Sequence, residues 1–298
     1  MQISKTWRAA ARAGSVTAVG IVAIVFAACG SSNESGGSTS PNLVQEQAVA
    51  FQHIHGLGID TVDGSLLIAT HTGLYRSMDE NEPDIERVGK RTSDFMGFTV
   101  AGPKRFLASG HPSLDEGGPS HLGLIESTDR GQSWRSVSLR GQADFHALRA
   151  SGDHVYGYDS TTGRLFASKD GGKTWASHKP PAAVHDLAIP PEQPDGLLAA
   201  TEMGITISQD GGGSWRTRNR SHTGLLAWPT SDALYLVGGT GTVSLSRDGG
   251  RSFQPVGQID GQPAAFLAHG RTLYVALEDG TVQQSGDRGR SWQVRVGK

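Results

Sequence analysis

A single cysteine in 298 residues excludes a disulfide within one chain. The fold must therefore be held by its apolar core alone. Positive charge is also scarce. Lysine and arginine together number 27 against 29 acidic residues, for a net charge of -2, and a nucleic-acid binder needs a basic excess that this chain lacks. The composition is not that of a disordered chain or a coiled coil, and 41 glycines and 13 prolines describe a turn-rich globular chain. Two catalytic signatures are missing. The stretch "GGKT" at 171 to 174 has Ala167 where a phosphate-binding loop needs glycine, and no G-x-S-x-G elbow occurs.

What is present begins at the N-terminus. Lys5, Arg8 and Arg12 precede a small, apolar run from Ala13 to Ala28, which is too short and too rich in small residues for a permanent span and reads as an export signal. The run ends in "VFAAC", and Cys29 is followed by "GSSNESGGSTSPN". These residues resemble a bacterial lipobox, with Phe26 where leucine is commoner. The resemblance implies a signal peptide over 1–28, cleavage before a lipidated Cys29, and a flexible Gly/Ser-rich tether over 29–50. It places the chain on the outer face of the cytoplasmic membrane, anchored through its lipid.

The remainder, 51–298, is a repeat. "STDRGQSW" (127 to 134), "SKDGGKTW" (168 to 175), "SQDGGGSW" (208 to 215), "SRDGGRSF" (246 to 253) and "SGDRGRSW" (285 to 292) share Ser-x-Asp-x-Gly-x-Ser/Thr-aromatic. Their starts are separated by 41, 40, 38 and 39 residues, and an eroded sixth copy begins at Ser77. Asp129, Asp170, Asp210, Asp248 and Asp287 suit an Asx-type turn, the glycine two positions later supplies positive φ, and the aromatic residue opens the next strand. Three further strand-like segments fill each period, such as "FHALRAS", "HVYGYD" and "RLFAS". Four strands in about 40 residues predict a β-propeller blade. The expected fold is all-β, a single propeller of six four-stranded blades, with seven as the alternative. The octapeptides resemble the Asp-box, or BNR repeat, of sialidases, sortilin and photosystem assembly propellers.

In such a propeller each innermost strand starts at one mouth of the central channel, and the connection between second and third strands returns there. Aligning the six innermost strands puts His55, Met96, His146, His185, Gly224 and Ala264 in one column. Two residues earlier stand His53, Asp94, Asp144, Ala183, His222 and Gln262. The second-to-third connections add His71, then His111 and His121 in a long insertion, then Glu202 and Glu278. By this alignment His154, His178 and His269 lie elsewhere, and the other histidines crowd one face.

That bias makes the mouth the candidate site. Imidazoles with the Met96 thioether suit copper, whereas imidazoles with Asp94 and Asp144 suit zinc. The same rim suits a small polar or carbohydrate ligand, or a partner protein, and imidazoles can also serve only to hydrogen-bond strand ends. Resemblance to sialidases implies glycoside hydrolysis, but the arginine triad and the tyrosine nucleophile of that family are not reconstructed here. The first arginine after the signal is Arg76, in a third strand. A different hydrolase needs a carboxylate pair drawn from Asp94, Asp144, Asp186, Glu202 and Glu278. The expectation is a monomeric, membrane-tethered binding propeller, with glycoside hydrolase and assembly scaffold as the alternatives.

Overall fold

The computed structural model describes residues 51, 53–78 and 85–297. The export signal, Cys29 and the tether lie outside the described residues. Six four-stranded antiparallel sheets follow one another along the chain, each built from consecutive strands. Blade one consists of Ile54–Ile59, Leu66–Thr70, Gly73–Ser77 and Ile85–Arg87. The innermost strands of blades two to six are Asp94–Gly102, Phe145–Ser151, Val184–Ala188, Leu225–Thr230 and Pro263–His269. Each of these six strands neighbours the next, and the last neighbours the first, so the ring closes around a channel.

A sheet with two apolar faces needs a neighbour on each, and a ring of blades provides one without leaving an end. The core is accordingly six apolar clusters, each shared between adjacent blades. Leu107 and Leu124 of blade two, for instance, pack on Phe145, Leu148 and Val155 of blade three. Closure between blades six and one is also a matter of side chains. Ile54, Leu57 and Ile68 share a cluster with Ala276, Val282 and Val296, and Arg295 donates to Ser77 Oγ at 2.9 Å.

The octapeptide works as its residue types require. Ser168 Oγ donates to Asp170 Oδ1 at 2.7 Å and accepts from Gly172 N at 2.9 Å. Asp170 then accepts from Thr174 N and Thr174 Oγ1 at 2.9 and 2.6 Å. The same network recurs around Asp129, Asp210, Asp248 and Asp287. The Thr174 and Ser168 hydrogen bonds hold the Asp170 carboxyl well below the ordinary carboxylate range. Tryptophans 134, 175, 215 and 292 then pack into the gaps between blades. Trp175 differs from the rest in its polar contact, donating to Ser138 Oγ at 2.9 Å, whereas Trp215 donates to Gly212 O at 3.0 Å.

Gly172 is required twice over. Its φ is +90°, and a Cβ there would overlap Leu124 Cδ2 of the preceding blade. Gly64 has φ +78° with open space around it. We expect Gly64→Ala to cost about 1–2 kcal/mol of backbone strain alone. Gly172→Ala adds overpacking of about 1–3 kcal/mol to the same strain. Urea unfolding of the two variants measures the difference; equal losses would mean that the turn, and not the blade interface, sets the requirement.

Candidate ligand site at the channel mouth

The channel encloses about 330 Å³ and is lined by all six innermost strands. Its mouth has a backbone feature that the aligned column did not reveal. In blade one Ile54 pairs with Thr70 and Gly56 with Ala69, which leaves His55 as an extra residue in the ladder. His146 is the extra residue between Phe145 and Ala147, His185 between Val184 and Asp186, and Ala264 between Pro263 and Ala265. In blade two, Phe95 and Met96 together oppose Gly110. Five members of the column therefore sit in β-bulges, which bend the strand and re-aim the bulged side chain. His55, His146 and His185 line the channel as a result.

Two groups of side chains converge there. In the first, His71 Nδ1 lies 2.6 Å from Asp94 Oδ2 and 3.4 Å from His55 Nε2, and His55 Nε2 lies 3.7 Å from Asp94 Oδ1. His53, with φ +54°, sets its ring 4.9 Å from that of His71. In the second, His146 Nε2 and His111 Nε2 approach Asp144 Oδ2 at 2.9 and 3.2 Å. His121 packs its ring 5.5 Å from that of His111. Asp144 is 3% exposed.

The protonation states follow from these neighbours. Burial, then the positive charge of His71, pushes His55 down to about 4 against the pull of Asp94, so His55 is neutral at pH 7. His146 is raised by its hydrogen bond to Asp144. Burial pushes Asp144 up, but the His146 hydrogen bond and the charges of His146, His111 and His121 outweigh it and hold the carboxyl below its ordinary range. Asp144 is ionised at neutral pH.

The remaining expected site residues are placed differently. Met96 occupies the bulge of blade two. His185 lines the channel but stands apart from both groups. His222 meets Asn219 Oδ1 at 3.1 Å and lays its ring on Phe253, 5.0 Å away, so it belongs to the octapeptide of blade five and not to the mouth. Glu202 and Glu278 are exposed and take part through their backbone amides, which donate to Ala183 O and Gln262 O. Asp186 is a staple. It accepts from Arg149 Nη2 at 2.6 Å, from Leu187 N at 2.7 Å and from Leu226 N at 2.8 Å. The Arg149 contact and the pairings of His71 with Asp94 and of His111 with Asp144 were absent from the sequence reading, because each crosses from one blade to the next.

No family model matches the chain. The photosystem II assembly lipoprotein Ycf48 of Synechococcus sp. (strain CC9902) is 29% identical over 160 residues, covering 49% of this chain and 47% of that protein. Its counterpart from Parasynechococcus marenigrum (strain WH8102) is 30% identical over 156 residues, 48% of this chain and 46% of that protein. The chain thus spans about half the length of the curated relatives it matches. Among solved structures, the GH74 xyloglucanase from Xanthomonas campestris superposes with a TM-score of 0.57 at 14% identity, over 82% of this chain and 45% of that one. Ycf48 bound to D1 peptide superposes with a TM-score of 0.52 at 16% identity, over 83% of both chains. Likeness at such identities establishes a shared β-propeller fold.

Proposed function

We propose that the chain is a lipid-tethered propeller on the outer face of the cytoplasmic membrane that holds a segment of a partner protein while a membrane complex assembles. The observation that carries this reading is the 29–30% identity to assembly lipoproteins of the Ycf48 type over about half of the chain. Two features support it. Cys29 and the residues around it resemble a lipobox, and the octapeptides resemble the Asp-box repeats of propellers that include photosystem assembly factors. A peptide-sized ligand has a natural seat at the mouth, where strand ends, bulged imidazoles and the open channel offer both polar and apolar contacts.

The hydrolase reading has less to stand on. A glycosidase needs two carboxylates across its substrate. Among the described residues that line the channel, Asp186 is the one carboxylate, and both of its oxygens are already engaged by Arg149 and two backbone amides. Asp94 and Asp144 are held by histidines.

A photo-reactive benzoylphenylalanine placed at His185, in the full anchored chain in its own membranes, tests the partner reading. The expected result is one defined membrane-protein adduct. The same group at Arg288, in the octapeptide turn of the opposite face, is expected to give none. Equal labelling from both positions, or no adduct from either, overturns the proposal.

A further inference from the structure

We propose that the mouth carries two adjacent sites for divalent transition-metal ions, one formed by His55, His71 and Asp94 and the other by His111, His146 and Asp144. This goes beyond the partner reading and does not depend on it, since it concerns what the rim itself binds.

The first argument is geometric. In each group three donor atoms lie within 4.8 Å of one another. A tetrahedral ion with bonds of roughly 2.0–2.2 Å to nitrogen and oxygen holds its donors about 3.3–3.5 Å apart. In the first group the imidazoles stand 3.4 Å apart and lie 2.6 and 3.7 Å from the two oxygens of Asp94; in the second they lie 2.9 and 3.2 Å from Asp144 Oδ2. The first group's distances straddle the required value and the second group's fall a few tenths of an ångström short of it, so an ion enters with sub-ångström shifts of side chains. Two imidazoles and one carboxylate are a donor set that zinc and its neighbours favour, and three protein ligands leave at least one coordination position open.

The second argument comes from unsatisfied atoms. Asp144 is almost fully buried, yet its Oδ1 has no hydrogen-bond partner, and neither has Oδ1 of Asp94 nor Nδ1 of His121. Buried polar atoms without partners are uncommon and costly. Here three of them gather around the two groups. An ion held by both oxygens of the carboxylate at either position would give the free one a partner.

The third argument is repetition. The same device is built at two successive blade junctions. A histidine from the end of the second strand or the connection after it, His71 in blade one and His111 in blade two, reaches across to an aspartate at the entry of the next innermost strand. Those aspartates, Asp94 and Asp144, occupy equivalent positions. At the third junction the equivalent position is Ala183 and the device ends. Turn or rim chemistry needed by the fold recurs around the ring, as the octapeptide does; among the described residues this arrangement occurs twice, side by side. The two groups also share blade two, because Asp94 of the first is the direct ladder partner of His111 of the second. Cross-strand partners stand about 4.5–5.5 Å apart at their Cβ atoms, so two bound ions would be neighbours with their open positions at one rim.

The test is calorimetric titration of the full-length chain in detergent, stripped with chelator, using zinc chloride alone. Two equivalents are expected to bind. Asp94→Ala should abolish one and Asp144→Ala the other, each with an affinity loss beyond about 100-fold at the altered group, more than the loss expected from a supporting residue. Should Asp144→Ala not fold, His111→Ala, at a position whose side chain is 38% exposed, replaces it, with far-ultraviolet circular dichroism as the check on folding. No heat of binding, a single equivalent in the unaltered chain, or two equivalents retained in both variants would each overturn the two-site proposal. The photo-crosslinking outcome at His185 is read separately, so failure of one reading leaves the other standing.

Discussion

Asp186→Ala is expected to lower the stability of the propeller by about 3–5 kcal/mol, the usual cost of removing one partner from a buried ionic network. Asp186 is 4% exposed, in the innermost strand of blade four. Its carboxylate accepts from Arg149 of blade three and from the backbone of Leu226 in blade five, so a single side chain ties three successive blades together. Burial pushes its pKa up, while the Arg149 charge and the two amides pull it back. Alanine leaves the Leu226 N–H buried without an acceptor and the Arg149 guanidinium without its counter-charge. At roughly 2–4 °C per kcal/mol for a domain of this size, the midpoint should fall by about 10 °C. Asp186→Asn keeps an acceptor for one amide and should lose roughly half as much. Thermal unfolding followed by circular dichroism measures both. A loss under about 1 kcal/mol for the alanine variant would mean that the blades are held by apolar packing alone.

The difference between what the sequence disclosed and what it concealed has a physical basis. The octapeptide is local chemistry. Ser168, Asp170, Gly172 and Thr174 satisfy one another within seven residues, so their pattern announces the turn, the strand that follows and, by its spacing, the blade. His55, His146 and His185 could likewise be aligned from their strands, and all three do line the channel. What could not be read was the partner of each. Whether His71 meets Asp94 or His111 meets Asp144 depends on the rotation between blades, which is set by apolar clusters such as that of Leu67, Leu74, Phe95 and Phe106. The bulges did leave a mark that strict alternation passes over: one extra residue shifts the phase, so Ile54 and Leu57, Phe95 and Phe98, Phe145 and Leu148, and Val184 and Leu187 stand three apart instead of two. His222 was aligned with the mouth, yet its contacts with Asn219 and with Phe253 of the neighbouring blade bring it to the octapeptide there.

The second large effect is expected at Phe145, which links the core to the mouth. Phe145→Ala should cost about 3–5 kcal/mol as a large-to-small change in a fully buried site. The ring is 0% exposed, 5.5 Å from that of Phe166 and 5.3 Å from that of Trp175. Space for it exists because residue 157 is glycine; a Cβ there would come within 2.6 Å of the Phe145 ring. Its amide donates to Ser109 Oγ of blade two at 2.9 Å, fixing the strand at the point where the His146 bulge begins. Asp144 and His146, on either side, both turn toward the mouth, where they bond to each other. The apolar anchor and the polar pair are thus consecutive residues with opposed duties, as the two faces of a strand require. Phe145→Leu keeps most of the buried volume and should cost under about 1.5 kcal/mol. Urea unfolding distinguishes the two variants, provided the slope with denaturant is unchanged. If alanine were tolerated as well as leucine, the bulge would have to be held from the mouth side, by the Asp144 and His146 contact, and the core would not be what positions the site.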